Sequence, residues 1–258
     1  MRVQPDRVVL SGPDSGYELF QDGLRRGVAP HIHAVARMIQ GYGRSGHLHI
    51  VRELYDTAQS LIFLYPLDKQ IHMWASIEDA MIIALGHAGH IDAAHVHRMR
   101  LLDEGATPSS DAYGVLIQHV KDTTDDTLGG LALFHEALER GVQPNLYLYN
   151  NIISKLSKAR KADYALELFQ QMKVSGIKPS SITYGAVIGA CARVGDVESA
   201  KTLFAEMINS STFKPRVPPY NTMMQLYTTT KPNRASVLYY YHEMKKANVR
   251  PSAHTYKV

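Results

Sequence analysis

The chain has 258 residues, of which 45% are hydrophobic, and this content is too apolar for a disordered protein. Its 28 Lys and Arg residues outnumber its 24 Asp and Glu residues, so the net charge of +4 weakly favours polyanionic partners. The single cysteine, Cys191, excludes an internal disulfide and a cysteine-rich zinc site. The longest apolar run, Leu61 to Leu67, is far shorter than a membrane span, so we expect no membrane insertion.

Two ladders of residues predict a tandem repeat. Seven prolines are separated by 35 or 36 residues, except for one step of 42, and five tyrosines follow them in phase at steps of 35 or 36. The prolines are Pro30, Pro66, Pro108, Pro144, Pro179, Pro215 and Pro251, and the tyrosines are Tyr113, Tyr149, Tyr184, Tyr220 and Tyr256. Two ladders in phase indicate a repeat of about 35 residues over nearly the whole chain.

Each repeat contains two apolar stripes with helical spacing. The first starts at the tyrosine and has offsets 0, 3, 4 and 7, as in Tyr149, Ile152, Ile153 and Leu156. The second has the same offsets, and its copies start at Val51, Gly130, Ala165, Ala200 and Val237. These offsets place the side chains on one face of an α-helix, so the repeat is predicted to be a pair of helices, A and B.

Turn signals separate these helices. Helix B is followed by Gly-x-x-Pro at Gly27, Gly105, Gly141 and Gly176, and by the equivalent Asn248, which also tolerates the left-handed conformation at a helix end. Gly46, Gly89 and Gly195 lie between helices A and B, where a tight turn needs positive φ. We therefore expect helical hairpins that bury their stripes by stacking, which gives an all-α superhelical solenoid with a concave face.

In chain order, residues 1–31 supply only a helix B. Repeats follow at 32–74 with an insertion, then at 75–109, 110–145, 146–180, 181–216 and 217–252, and residues 253–258 start a further repeat. Because both ends cut through a repeat, we expect the chain to be part of a longer protein.

The repeat at 75–109 is irregular. Extra sequence lies near Asp68 to Trp74, Glu78 replaces the tyrosine, and His97 and Arg98 stand where Leu and Phe are expected. Two explanations stay open: the helix register differs here, or a neighbouring segment such as Leu61 to Tyr65 covers the gap.

The most regular copy resembles the pentatricopeptide repeat. It has Tyr-Asn-Asn-Ile-Ile from Tyr149, Ala-Leu-Glu-Leu-Phe-Gln-Gln-Met-Lys ending at Lys173 and Gly-Ile-Lys-Pro ending at Pro179, with similar segments from Ala200 and Tyr220. The tetratricopeptide repeat shares the hairpin but has a period of about 34 residues and a different signature. The resemblance implies a right-handed α-α superhelix that binds single-stranded RNA in an organelle, here the mitochondrial matrix.

The resemblance also implies which residues contact RNA. In this family one base is read by the residue after the helix A tyrosine and the residue after the closing proline. The pairs are Asn150 with Ser180, Asn221 with Ser252, Asp79 with Ser109, Gly114 with Asn145 and Gly185 with Arg216. The Asn and Ser pairs imply a pyrimidine, cytosine above all, whereas glycine offers no side-chain hydrogen bond. For Asn150 and Asn221 the alternatives are helix capping and simple solvation.

Two further groups complete the predicted RNA site. Tyr147 and Ile182 stand two residues before their tyrosines, where the family inserts a side chain between successive bases. Arg44, Lys158 and Arg193 occupy equivalent positions near the end of helix A and are expected to contact phosphates, with a solvated turn as the alternative.

Thirteen histidines are present, but they do not cluster with acidic or cysteine ligands, so no metal site or cofactor is expected.

Three functions fit this sequence. The first is an organellar RNA-binding protein acting in transcript stability, processing or translation. The second is a scaffold whose concave surface binds protein. The third is the recognition part of an RNA-processing enzyme whose catalytic domain lies outside the chain. No phosphate loop, nucleophile elbow or paired carboxylates occur, so we expect neither catalysis nor a small-molecule substrate from this chain itself.

Overall fold

The computed structural model describes residues 13–120, 126–210 and 216–257, and within these ranges all regular secondary structure is helical. The helices are α1 (Pro13–Arg25), α2 (Ile32–Arg44), α3 (Leu48–Ile62), α4 (Leu67–His87), α5 (Ile91–Asp103), α6 (Ser110–His119), α7 (Asp126–Glu139), α8 (Leu146–Lys158), α9 (Ala162–Val174), α10 (Ser181–Val194), α11 (Val197–Asn209), α12 (Val217–Gln225) and α13 (Arg234–Lys246). A short π-helical segment, Leu226–Thr230, follows α12.

The chain forms two compact units. Unit 1 comprises Met1–His119 and His135–Gln143, and unit 2 comprises Val120–Phe134 and Pro144–Val258. In unit 1, α2 packs on α3 and α4, and α4 packs on α5 and α6. In unit 2, α8 packs on α9 and α10, α10 packs on α11 and α12, and α12 packs on α13. The hairpins α2–α3, α4–α5, α8–α9 and α10–α11 therefore each close on themselves, and the first helix of each also stacks on the first helix of the next hairpin.

The predicted stripes form the seam between hairpins. Tyr149, Ile152, Ile153 and Leu156 of α8 are all buried, and the corresponding tyrosines Tyr113, Tyr184 and Tyr220 are buried as well. The Phe169 ring of α9 meets the Tyr184 ring of α10 edge-on at 5.3 Å between centroids. Since burying one large apolar side chain contributes roughly 1.5–3 kcal/mol, the stripes dominate the stability of the stack.

Two glycines allow close helix approach in unit 1. A Cβ on Gly43 of α2 would lie 2.4 Å from the Cα of Ala84 in α4. A Cβ on Gly86 of α4 would lie 2.1 Å from Cγ1 of Val115 in α6. A larger residue at Gly43 requires the helices to separate, and one at Gly86 requires the Val115 side chain to move.

The predicted stop signals have the expected backbone conformation. Gly176 has φ of 77°, and Asn248, which replaces glycine in the last copy, has φ of 56°. Arg160 also has positive φ, at 60°, in the turn between α8 and α9. The sequence did not single out Arg160, because arginine carries no preference for this conformation.

The irregular repeat keeps its register. The extra residues Asp68 to Trp74 are helical and continuous with the rest of α4, which is 21 residues long. Glu78 takes the tyrosine position and is fully buried, and His97 lies on the buried stripe of α5. Tyr55 of α3 donates a 2.5 Å hydrogen bond to Glu78 Oε1, and His97 Nδ1 lies 2.7 Å from Glu78 Oε2. The residues that replace the repeat's usual apolar side chains therefore form a buried polar cluster, and the inserted residues lengthen α4.

Candidate nucleic-acid interface

The first predicted base-reading pair is joined through a third residue. Asn150 follows the buried Tyr149 on α8 and is half-buried, and Ser180 is the N-cap of α10. Thr183 Oγ1 donates to Asn150 Oδ1 at 2.6 Å and accepts from the backbone N–H of Ser180 at 2.9 Å. The fold thus brings Asn150 and Ser180 to one place, with Thr183 between them.

The second asparagine pair repeats this arrangement. Thr255 Oγ1 donates to Asn221 Oδ1 at 2.9 Å and accepts from the backbone N–H of Ser252 at 2.9 Å. Asn221 is 6% exposed and so lies deeper than Asn150. Neither threonine was predicted from the sequence, although the shared spacing Ser180-x-x-Thr183 and Ser252-x-x-Thr255 is typical of residues that hydrogen-bond at a helix start.

The third pair makes direct contact. The backbone N–H of Ser109 donates to Asp79 Oδ1 at 2.6 Å. Burial raises the pKa of the Asp79 carboxyl, and the hydrogen bonds from Ser109 act in the opposite direction. The residue equivalent to Thr183 is Ala112, which has no hydroxyl group to stand between them.

The two predicted pairs that contain glycine offer fewer hydrogen-bonding groups to a base. Gly114 is buried in α6 and Gly185 is half-buried in α10, and neither has a side chain to offer a base. Asn145 is the N-cap of α8, and its Oδ1 accepts from the backbone N–H of Leu148 at 2.9 Å. Arg216 is exposed next to α12 and makes no capping hydrogen bond through its side chain. Base recognition by these pairs remains a prediction.

The predicted stacking residues lie in the first turns of their helices. Tyr147 is half-buried in α8, and Ile182 is 57% exposed in α10. At the equivalent positions of unit 1, His33 Nδ1 lies 3.3 Å from Ser76 Oγ. This contact indicates that these positions come together in neighbouring hairpins of unit 1.

The predicted phosphate-contacting residues are exposed at the ends of A helices. Arg44 ends α2, Lys158 ends α8, and Arg193 lies in the last turn of α10. Arg193 Nη1 donates to Ser157 Oγ at 2.8 Å, and Arg160 Nη2 donates to the carbonyl oxygen of Arg193 at 2.6 Å. Unit 2 thus groups three cations, of which Arg160 was not predicted.

A similar group lies at the end of α4. Burial lowers the pKa of the His87 imidazole, and the nearby Arg44 and His119 lower it further, whereas Asp111 has the opposite effect. The Arg44 cation, His87 and His119 are therefore close enough to interact in unit 1, although an imidazole with a lowered pKa carries little charge at neutral pH.

Within the described ranges, no three His, Cys, Asp or Glu side chains come together as a group able to hold a metal ion. In the same part of the chain, no helix combines the length and apolar character that crossing a bilayer requires. Cys191 is buried, and burial raises the pKa of its thiol to about 11.

The repeats of this chain are similar to those of known proteins. The pentatricopeptide repeat domain model matches residues 132–194, and the PPR repeat model matches residues 182–211. The chain is 34% identical over 233 residues to the mitochondrial pentatricopeptide repeat-containing protein 5 of Schizosaccharomyces pombe. This match covers 88% of the chain but only 18% of that relative.

Two solved structures share the fold. The pentatricopeptide repeat protein PPR10, in complex with an 18-nucleotide psaJ RNA element, has a TM-score of 0.61 and 24% identity, with 98% of this chain and 35% of PPR10 covered. The PPR domain of Arabidopsis thaliana protein-only RNase P 1, in complex with tRNA, has a TM-score of 0.61 and 20% identity, with 71% and 95% covered. These likenesses confirm the predicted all-α solenoid of hairpin repeats. On its repeats, its fold and its sequence relative, the chain belongs to the pentatricopeptide repeat family.

Proposed function

We propose that these repeats bind single-stranded RNA. The observation that carries the proposal is the repeated site in unit 2, where Asn150 and Asn221 each accept a hydrogen bond from a threonine, Thr183 or Thr255, just after the closing proline of the repeat. An amide side chain can hydrogen-bond a base edge. The exposed cations Lys158 and Arg193 on the same series of A helices suit the phosphates of a bound strand.

The comparisons support the same proposal and extend it. Both solved neighbours were crystallised with RNA, and the sequence relative is named as a mitochondrial protein. We propose further that this protein acts in the mitochondrial matrix, on transcript stability, processing or translation. Since the chain spans 18% of that relative, its repeats are proposed as a recognition segment that binds RNA without catalysing a reaction.

Binding of a labelled single-stranded RNA to the purified chain, measured by fluorescence anisotropy at several salt concentrations, tests this function. The double variant Lys158→Ala/Arg193→Ala is expected to bind more weakly and to flatten the salt dependence, because each lost phosphate contact removes about 0.7 from the logarithmic slope. The matched control is Lys201→Ala/Lys246→Ala, which removes two cations from B helices that pair with Glu198 and Glu243. Equal effects of the two double variants, or no binding by the unmodified chain, would contradict the proposal.

A further inference from the structure

We propose that Thr183 and Thr255 are positioning residues that fix the amide orientation of Asn150 and Asn221. Each asparagine then presents its Nδ2 hydrogens, and not Oδ1, to a base. This inference rests on the RNA binding proposed above and assigns the chemical preference of that site to two residues outside the base-reading pairs.

The direction of the hydrogen bonds carries the argument. A backbone N–H can only donate, so the N–H of Ser180 occupies one lone pair of Thr183 Oγ1 at 2.9 Å. Two acceptors lie within reach of the Thr183 hydroxyl hydrogen, Asn150 Oδ1 at 2.6 Å and Ser180 Oγ at 3.1 Å, and the shorter contact favours donation to Asn150. The Ser180 hydroxyl can then donate to the second lone pair of Thr183 Oγ1, and a separation of 2.6 Å suits O–H···O better than N–H···O. Because Oδ1 of Asn150 is directed at Thr183, the Nδ2 group with its two hydrogens is the end of the amide that is left free of this contact.

The same chain of donors occurs at the second site. The backbone N–H of Ser252 donates to Thr255 Oγ1, which in turn donates to Asn221 Oδ1. Both threonines are buried, so water does not readily replace either partner. The repetition at two hairpins with different neighbours indicates that the arrangement comes from the shared residues and not from local packing.

The irregular repeat provides an internal comparison. Ala112 replaces the threonine there, and the backbone N–H of Ser109 donates straight to Asp79 Oδ1. The same N–H therefore finds an acceptor in either case. A hydroxyl side chain at this position, as in Thr183 and Thr255, accepts from that N–H and donates its own hydrogen to the amide oxygen of the asparagine.

This orientation has a consequence for base preference. Cytosine presents two adjacent acceptors, N3 and O2, on its Watson–Crick edge, whereas uracil places the N3–H donor between its two carbonyl oxygens. A side chain that turns its Nδ2 donors toward the base, as proposed for Asn150 and Asn221, matches the cytosine edge. If the amide were free to turn, its oxygen would accept from N3–H of uracil, and the preference would weaken.

The test compares affinities for oligocytidine and oligouridine of equal length, which removes any dependence on register. The variant Thr183→Val/Thr255→Val keeps the side-chain shape but loses both hydroxyl groups, and its control Thr183→Ser/Thr255→Ser keeps them. We expect the unmodified chain and the serine variant to favour oligocytidine. The valine variant should reduce the affinity ratio by about five-fold or more, because one hydrogen bond contributes roughly a factor of 2–10.

A gain-of-function variant covers the case in which the valine variant fails to fold. Asp79→Asn/Ala112→Thr installs the same three residues in unit 1 and should raise the preference for oligocytidine, whereas Asp79→Asn alone should raise it less. If the unmodified chain binds neither oligonucleotide, the proposed function fails. If it binds both without preference, or if the valine variant weakens both equally, RNA binding stands and the positioning role is overturned.

Discussion

The hairpins α10–α11 and α4–α5 differ in which helix supplies the glutamate and which supplies the tyrosine of a buried or half-buried hydrogen bond. In α10 the tyrosine is present, and Tyr184 donates to Glu206 Oε1 of α11 at 3.0 Å, while Lys173 of α9 contacts the same oxygen at 2.6 Å. In α4 the acid occupies the tyrosine position, and the phenol that donates to Glu78 comes from Tyr55 of the preceding hairpin. The acid has moved to the first helix of the hairpin, and its phenol comes from the second helix of the preceding hairpin and not from α5.

The two arrangements differ in depth. The Glu206 side chain is 37% exposed and has a cationic partner, whereas the Glu78 side chain is 0% exposed and is contacted by Tyr55 and His97. Burial, and then hydrogen bonding to the acid, raise the pKa of both phenols, Tyr55 and Tyr184, to about 12. The repeat therefore keeps a hydrogen bond between a carboxylate and a phenol at this contact, but the phenol need not come from the first helix of the hairpin. We expect loss of this hydrogen bond to destabilise the fold more where the carboxylate is buried.

Removing the acid should show the largest difference between the two hairpins. Glu78→Ala leaves Tyr55 and His97 without their buried acceptor, so we expect a loss of about 3–5 kcal/mol in the free energy of unfolding. Glu206→Ala should cost about 1 kcal/mol, because water replaces the acceptor at a partly exposed site. Urea denaturation followed by circular dichroism measures both, and equal losses would show that depth does not matter.

The close approach of α2 and α4 should be the next most sensitive feature. Gly43→Ala places a methyl group against the backbone of Ala84, and overpacking of this kind costs about 1–3 kcal/mol. Gly41→Ala is the matched control on the same helix, since its Cβ would meet nothing within 4 Å. The control should gain roughly 0.5–1 kcal/mol from helix propensity, so the two melting temperatures should move in opposite directions.

A smaller, pH-dependent effect is expected at Asp79. Burial raises the pKa of this carboxyl in the folded chain, so the ionised form destabilises the fold, and this destabilisation grows as the pH rises from the unfolded pKa through the folded pKa. Asp79→Asn keeps an oxygen for Ser109 and removes the charge. The variant should therefore melt higher than the unmodified chain at neutral pH and at nearly the same temperature near pH 3, and a constant difference would contradict this account.

The smallest effect concerns the turn of the regular hairpin α8–α9. Arg160 has φ of 60° at the position where three other repeats have Gly46, Gly89 and Gly195. Arg160→Gly should be more stable than Arg160→Ala by about 1 kcal/mol, because both lose the guanidinium contact with Arg193 and only glycine relieves the strain. Thermal unfolding of the two variants gives this difference directly.

Periodic features of this protein were predictable from the sequence because their causes are local. Stripes at helical spacing fix which side chains must be buried, and the Tyr113, Tyr149, Tyr184 and Tyr220 positions are indeed buried. Gly176 and Asn248 end helices because the left-handed conformation at that point depends on one residue. The repeat and the hairpins follow from such short-range rules, whereas the positions of the base-reading residues come from the resemblance to the pentatricopeptide repeat.

Only the tertiary structure decided how distant residues combine. The threonine between Asn150 and Ser180 is 33 residues from the asparagine it contacts, and Tyr55 is 23 residues from Glu78. A sequence pattern specifies the face on which a side chain lies, but not which donor on the neighbouring hairpin reaches it. Hydrogen bonds depend on distances of a few tenths of an ångström and on direction, and these are set only when the hairpins have packed.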